Sequence, residues 1–124
     1  MTVDARFIRH VETIASDLAA LLVSKQGDYG AGNINNAYGG AMNGLLVRIG
    51  DKFERIKHLT GSKLAAAHEP LHDSFIDLAN YCIIALMVLD NKWPTNEGNY
   101  PCDISSQRSP HSSLQSSPPA SLIV

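Results

Sequence analysis

The 124-residue sequence has few aromatic residues, only two cysteines, no surplus of positive charge and no long apolar run. Cys82 and Cys102 do not have a metal-binding or redox spacing. The net charge of −2 argues against a nucleic-acid partner, because such proteins normally carry a basic surplus. No run approaches the roughly 18–20 apolar residues of a membrane span, and the N-terminus shows no secretory-signal pattern. We therefore expect a soluble, cytoplasmic protein with no membrane partner.

Apolar residues at helical spacing predict an all-α protein with three main helices in residues 1–92. The first helix is expected over 3–24 with Thr2 as its N-cap, the second begins between 38 and 45, and the third covers 71–89. A connection rich in glycine and asparagine separates the first two, with a short fourth helix in 33–44 as an alternative. The serine- and proline-rich segment 93–124 predicts a disordered tail.

Three helices in about 90 residues make a thin hydrophobic core, so a small antiparallel bundle of this kind needs further stabilisation. The second half of the third helix reads CIIALMVL and is apolar on all sides, which indicates that several neighbours enclose it. Cys82 is expected in the core of the bundle. We therefore predict a homodimer or a higher homo-oligomer.

Three carboxylates repeat at four-residue intervals at the start of the third helix, namely Glu69, Asp73 and Asp77. Like charges at this spacing repel unless cations lie nearby, and the strip continues through Asn80 into the apolar half of the helix. Mg²⁺ would relieve both problems, because it binds through one or two carboxylates plus substrate phosphates; Mn²⁺ is the alternative ion. On spacing alone, a solvated acidic face is the favoured interpretation.

The second helix offers basic residues for such a site. Arg48, Asp51 and Arg55 lie within about 60° of arc, with Lys52 at one edge of the arc and Glu54 on its other side. The guanidinium fork of arginine binds two phosphate oxygens at once. The pattern is therefore typical either of a mixed metal and phosphate site or of a surface on which Asp51 pairs with a neighbouring arginine.

Residues 25–44 form a connection of about 20 residues, longer than most helix–helix connections, and long loops of this kind are often functional. Their asparagines could contact a base or a ribose, although a flexible connector is the alternative. The segment matches neither a P-loop nor a dinucleotide-binding loop. The histidines form no zinc motif, and no Ser-His-Asp arrangement can be argued.

Three sequence blocks resemble the first type of nucleotide modification associated domain, a family of phages and prophages. The blocks are K-x-x-D-Y-G-x-x-N from Lys25, V-R-I-x-D-K-x-x-R from Val47 and E-x-x-x-D-x-x-x-D-L-A-N-Y from Glu69. The likeness covers about residues 5–92. More distantly, the chain is similar to the all-α nucleotide pyrophosphatases of the MazG and dimeric dUTPase superfamily.

The resemblance implies an oligomeric helical bundle that uses Mg²⁺ to hydrolyse a nucleoside triphosphate to monophosphate and pyrophosphate. It implies Asp73 and Asp77 as metal ligands, with Asp51 or Glu54 adding carboxylates and Glu69 as ligand or base. The implied contacts to the phosphates, sugar or base are Lys25, Asp28, Tyr29, Asn33, Arg48, Lys52, Arg55 and Asn80.

One departure from the superfamily pattern bears on the reaction. The usual E-x-x-E and E-x-x-D motifs are replaced by Asp51-x-x-Glu54 and Asp73-x-x-x-Asp77, which alters the metal geometry. Two functions remain open: a metal-dependent hydrolase in phage nucleotide metabolism or base modification, and a non-catalytic nucleotide-binding or helical interaction module. A phage-encoded protein would act in the cytoplasm of the host cell.

Overall fold

The computed structural model describes residues 2–62 and 67–101. Within these residues the chain folds into four helices and contains no strand, so the predicted all-α class is confirmed. The helices are α1 (Ala5–Tyr29), α2 (Gly32–Asn35), α3 (Ala41–Gly61) and α4 (His68–Leu89). The predicted tail lies mostly outside the described residues.

Helix α1 is longer than its sequence pattern predicts. Asp4 rather than Thr2 caps its start, because the Asp4 carboxylate accepts the backbone N–H of Arg6 at 2.7 Å. The helix continues through Gly27 and ends at Gly30, whose φ of +71° is accessible to glycine at little cost. The glycine-rich connection is correspondingly shorter, and the C-terminal part of α1 carries Lys25 and Tyr29.

Helices α3 and α4 form an antiparallel pair. Residues that pair across them step forward along α3 and backward along α4. The Arg48 guanidinium lies 5.9 Å from the Tyr81 ring, Lys52 Nζ lies 2.8 Å from Asp77 Oδ2, and Arg55 Nε donates to Ser74 Oγ at 3.1 Å. The basic side of α3 therefore faces the polar strip of α4.

The main buried apolar cluster is small and lies at one end of this helix pair. It consists of Ile34, Leu45, Ile84 and Trp93, and Ile56 of α3 is buried outside it. Trp93 is 6% exposed, which corrects the predicted boundary after residue 92. The chain returns to the core because Asn91 adopts a φ of +58° and the Lys92 N–H bonds to the Met87 carbonyl at 2.7 Å, as in a Schellman motif. The folded part thus extends beyond residue 92.

The segment after Trp93 is attached to α2 by side-chain amides. Asn35 Nδ2 donates to the Pro94 carbonyl at 2.9 Å and to Asn96 Oδ1 at 3.0 Å, and Asn96 Nδ2 donates to Asn36 Oδ1 at 3.0 Å. Residues 93–101 therefore belong structurally with the helices. The remainder of the predicted tail, 102–124, lies outside the described residues.

Helix α4 does not bury Cys82, so the prediction that Cys82 lies in the core is wrong. The buried residues of α4 are Ser74, Asn80 and Ile84, and Cys82 is exposed. The physical reason is that α3 packs against the polar strip, which turns the apolar face of Phe75 and Leu89 outward. The run of apolar residues in α4 did not by itself indicate which face of the helix packs against a neighbouring helix.

Helix α4 is long and apolar enough to cross a membrane by length and composition, a test that the central helix of a soluble bundle also passes. Near its middle, Asp77 forms two ion pairs with residues of α1 and α3. These pairs show that this part of α4 packs against charged protein groups.

Candidate functional site

A cavity of about 320 Å³ opens between α1, α3 and α4, next to the buried core. This volume is near the lower end of the range of small-molecule sites. Its lining combines cationic, amide, aromatic and aliphatic side chains: Leu22, Lys25, Gln26, Tyr29, Asn33, Ile34, Arg48, Asp77, Asn80, Tyr81, Ile84 and Trp93. We refer to this cavity as the interhelical pocket.

Asn80 is the most unusual residue of the interhelical pocket. It is 4% exposed, and neither its Nδ2 nor its Oδ1 finds a hydrogen-bond partner among the described residues. The Trp93 indole N–H is in the same state. Buried side-chain polar groups are almost always hydrogen-bonded, and each one that is not requires an explanation. Asn80 therefore places an unpaired donor and an unpaired acceptor in the wall of the pocket, with almost no solvent-accessible surface on either atom.

Cations collect at one end of the interhelical pocket. Lys25 Nζ lies 3.3 Å from Asp77 Oδ1, and Lys52 Nζ lies 2.8 Å from Asp77 Oδ2. Arg48 is held by a hydrogen bond from Nη2 to the Asn33 carbonyl at 3.1 Å. Two of these cations pair with the Asp77 carboxylate, and the three together outnumber it, so the excess positive charge favours an anionic ligand.

The Asp77 carboxylate titrates below its ordinary range. Partial burial opposes its ionisation, but the Lys52 hydrogen bond and the charges of Lys52 and Lys25 together outweigh that effect and lower the pKa of Asp77. Asp77 is therefore ionised at neutral pH and occupies the two lysines as an internal counterion.

A second, shallower depression lies on the other side of Asp77. Its lining residues are Lys52, Arg55, Glu69, Pro70, Asp73, Ser74 and Asp77. The Ser74 hydroxyl donates to the Pro70 carbonyl at 2.8 Å and accepts from Arg55 Nε at 3.1 Å, which fixes the guanidinium beside the carboxylates. From the C-terminal to the N-terminal part of α4, the aromatic and amide groups are thus followed by the lysines that pair with Asp77, and then by two exposed carboxylates.

Most of the residues predicted from the sequence meet at these two adjoining sites. Lys25, Tyr29, Asn33, Arg48, Asp77 and Asn80 line the interhelical pocket, and Lys52, Arg55, Glu69 and Asp73 line the depression next to it. Three predicted site residues lie elsewhere. Asp28 and Asp51 are exposed and line neither site, and Glu54 pairs with Lys57 at 3.1 Å.

The predicted carboxylate cluster does not form within the described residues, which contain no group of three or more His, Cys, Asp or Glu side chains suited to a metal ion. The side of α3 that faces α4 is taken by Arg48, Lys52 and Arg55, whereas Asp51 is exposed at the edge of that side and Glu54 lies on another side of the helix. No ion pair joins Asp51 to Arg48 or Arg55 in this part of the chain.

Few carboxylates in these two sites are open to a divalent cation. Both oxygens of Asp77 already face lysines, so the carboxylates open to a cation are Glu69 and Asp73, neither of which pairs with another described residue. Mg²⁺ often binds through one or two carboxylates together with substrate phosphates. The donor set therefore fits Mg²⁺ carried by a nucleotide and does not fit a cage made by the protein alone.

The sequence interpretation missed several residues of the interhelical pocket: Leu22, Gln26, Ile34, Tyr81 and Trp93. Tyr81 is the last residue of the third sequence block and directly follows Asn80. This position in the block could have identified Tyr81 as a residue of the pocket. Trp93 is the only tryptophan of the chain and is buried. Because a low-complexity sequence follows it, the sequence pattern assigned it to the predicted tail. Tertiary contact rather than local pattern brings Trp93 to the site.

The fold and site define an all-α domain with a cation-lined pocket between its helices. The chain belongs to the family described as nucleotide modification associated domain 1, whose model matches residues 25–89, just over half of the sequence. The matched range contains the residues that surround Asp77 and Asn80 and excludes most of α1. No curated protein and no solved structure gives a significant match.

Proposed function

We propose that the protein binds a nucleotide in the interhelical pocket. The observation that carries this proposal is the buried Asn80 amide, which lines the pocket without a partner among the described residues, beside a cluster of cations. A nucleotide needs both features, because its base presents donors and acceptors at its edge while its phosphates are anionic. The family description is consistent with a role in nucleotide modification.

The bound nucleotide is expected to lie along α4. Its base would occupy the end near Asn80, Tyr81 and Trp93, where the amide reads the base edge and the aromatic rings provide apolar walls. Its phosphates would lie near Lys25 and Lys52. Asp77 must give up at least part of its contact with these lysines, so the phosphates of the nucleotide replace the Asp77 carboxylate as the anion beside them.

Hydrolysis of a nucleoside triphosphate to monophosphate and pyrophosphate is the second candidate function. It is favoured by Glu69 and Asp73, which are exposed beside Lys52 and Arg55 where the outer phosphates would lie. Magnesium bound there would neutralise phosphate charge and activate water. Glu69 and Asp73 would hold the metal–nucleotide complex, and Arg55, fixed by Ser74, would contact phosphate oxygens.

Binding is tested by titrating the full chain with ribo- and deoxyribonucleoside triphosphates and following the fluorescence of Trp93, the only tryptophan, with calorimetry as a second method. We expect saturable binding that Lys52→Gln weakens by about tenfold, since one charged contact to phosphate is lost. Lys57→Gln is the matched control, because Lys57 lies on the same helix and pairs with Glu54 outside the pocket. No saturable binding to any nucleotide would overturn the proposal.

Pyrophosphate release from the same nucleotides, with Mg²⁺ and with a chelator, separates the two candidate functions. Metal-dependent release that Asp73→Asn abolishes, without loss of helix content, would support the hydrolase. Binding without release would support the non-catalytic module. Asp51→Asn is the control, because Asp51 lies outside both sites.

A further inference from the structure

The start of α4 carries a pair of histidines that lines neither the interhelical pocket nor the depression beside it. Residues 68–72 read His-Glu-Pro-Leu-His, which is the H-E-x-x-H pattern. The prediction that the histidines form no zinc motif is therefore wrong for His68 and His72. This pattern needs a helix, because residues four apart then lie on the same side. Helix α4 begins at His68, so the pair has that context.

The two imidazole rings lie near each other on the protein surface. Their centroids are 6.4 Å apart with the ring planes tilted by 35°, and both His68 and His72 are exposed. A Zn–N bond of about 2.0–2.1 Å places the centroid of a bound imidazole about 3.2 Å from the ion, so two rings at a tetrahedral angle are about 5 Å apart. The remaining difference of about 1 Å is within the range of rotamer changes at exposed positions.

Two carboxylates beside the histidine pair favour a cation. Glu69 and Asp73 each directly follow one of the histidines, and both are exposed. Their negative charge offsets the unfavourable interaction of a cation with the positive end of the α4 dipole. In the H-E-x-x-H pattern the glutamate lies beside the metal and acts on its bound water, and Glu69 has that position here. The basic residues nearby bond to Ser74 and Asp77.

We propose that His68 and His72 bind a divalent transition-metal ion, in the first place Zn²⁺, at the start of α4. Neutral imidazole is a ligand for Zn²⁺, Cu²⁺ and Ni²⁺, whereas Mg²⁺ prefers oxygen ligands. The histidine pair therefore binds a different class of ion from the Mg²⁺ that fits the depression. The inference does not rest on the proposed function.

The proposed site has two protein ligands, and water or a substrate oxygen completes the coordination. Catalytic zinc sites use three protein ligands, and the described residues contain no group of three metal-binding side chains. The proposal is therefore of metal binding and not of peptide hydrolysis. Glu69 also lines the depression beside Lys52, so a bound ion lies next to the basic residues there.

Calorimetric titration of the full chain with Zn²⁺, in a buffer that does not bind metals, tests the site. We expect saturable binding that His68→Ala and His72→Ala each weaken by at least about tenfold, because one of the two coordinate bonds is lost. An equal concentration of Mg²⁺ should leave the zinc affinity unchanged. His58→Ala is the matched control, since His58 is exposed on α3 and has no histidine four residues away. No saturable zinc binding, or binding that both variants retain in full, would overturn the proposal.

Electron paramagnetic resonance with Cu²⁺ identifies the ligands directly. Cu²⁺ binds nitrogen sites more tightly than the other divalent ions of its row. At less than one Cu²⁺ per chain, the spectrum of the full chain should show coupling to two imidazole nitrogens, and that of His72→Ala to one. Circular dichroism checks that the helices of the variant are intact. A His72→Ala spectrum identical to that of the unaltered protein would refute the assignment.

Discussion

Replacing Asn80 with leucine should stabilise the free protein and impair ligand binding at the same time. Leucine has the same number and branching of side-chain heavy atoms as asparagine but no polar group. Asn80 is 4% exposed and neither of its amide atoms has a partner among the described residues, and an unpaired buried polar group costs about 1–3 kcal/mol. Removing it should raise the free energy of unfolding by that amount, which corresponds to at least about 4 °C in Tm for a domain of this size.

The same substitution should weaken nucleotide binding, because a site built to hydrogen-bond a ligand loses both its donor and its acceptor. Loss of these contacts should cost about 1–3 kcal/mol of binding free energy, a factor of about 5 to 100 in Kd. Thermal unfolding measures the first effect and titration measured through Trp93 fluorescence measures the second. Opposite signs in the two assays are the expected signature of a functional site.

Asn35→Leu is the matched control for this experiment. Its amide donates to the Pro94 carbonyl and to Asn96 Oδ1, so the same change there should destabilise the fold by about 0.5–1.5 kcal/mol per hydrogen bond lost. If Asn80→Leu instead lowers Tm and leaves binding intact, then Asn80 is satisfied in solution by ordered water or by a rearranged neighbour. That result would refute the assignment of its amide to a ligand.

Three further predictions concern Asp77 and two glycines of α3. Asp77→Asn should strengthen the binding of inorganic phosphate in metal-free buffer several-fold, since Lys25 and Lys52 lose their internal counterion; calorimetry showing weaker binding would contradict this role. The pKa of Asp77 is lowered in the folded state, so its ion pairs should stabilise the fold above its ordinary pKa of about 4. This stabilisation should be lost as the pH falls below that value. The Tm difference between wild type and Asp77→Asn should therefore vanish in acid. Gly50→Ala should raise the free energy of unfolding by about 0.5–1 kcal/mol, since the added methyl meets nothing within 4 Å. Gly44→Ala should lower the free energy of unfolding, because its Cβ collides with Ala37. Equal shifts of the two variants in denaturant titrations would contradict the packing around Gly44.

Local sequence pattern determined the helices and the residues that share a face. Apolar periodicity located α3 and α4, and spacing of four and three residues placed Asp73, Asp77 and Asn80 along one strip of α4. This strip does face the site, with Asn80 buried and Asp77 partly buried. Local spacing suffices for such predictions because the helix geometry alone decides which side chains lie on the same side.

Tertiary structure decided which faces meet, because that depends on contacts between residues far apart in the sequence. The side of α3 with Arg48, Lys52 and Arg55 packs on the strip of α4, which leaves Asp51 out of both sites and exposes Cys82. Trp93 joins the core because the turn at Asn91 redirects the chain, an effect that the composition of the segment did not indicate. Helical periodicity defines the faces of a helix, and only the position of its neighbours selects the one that is buried.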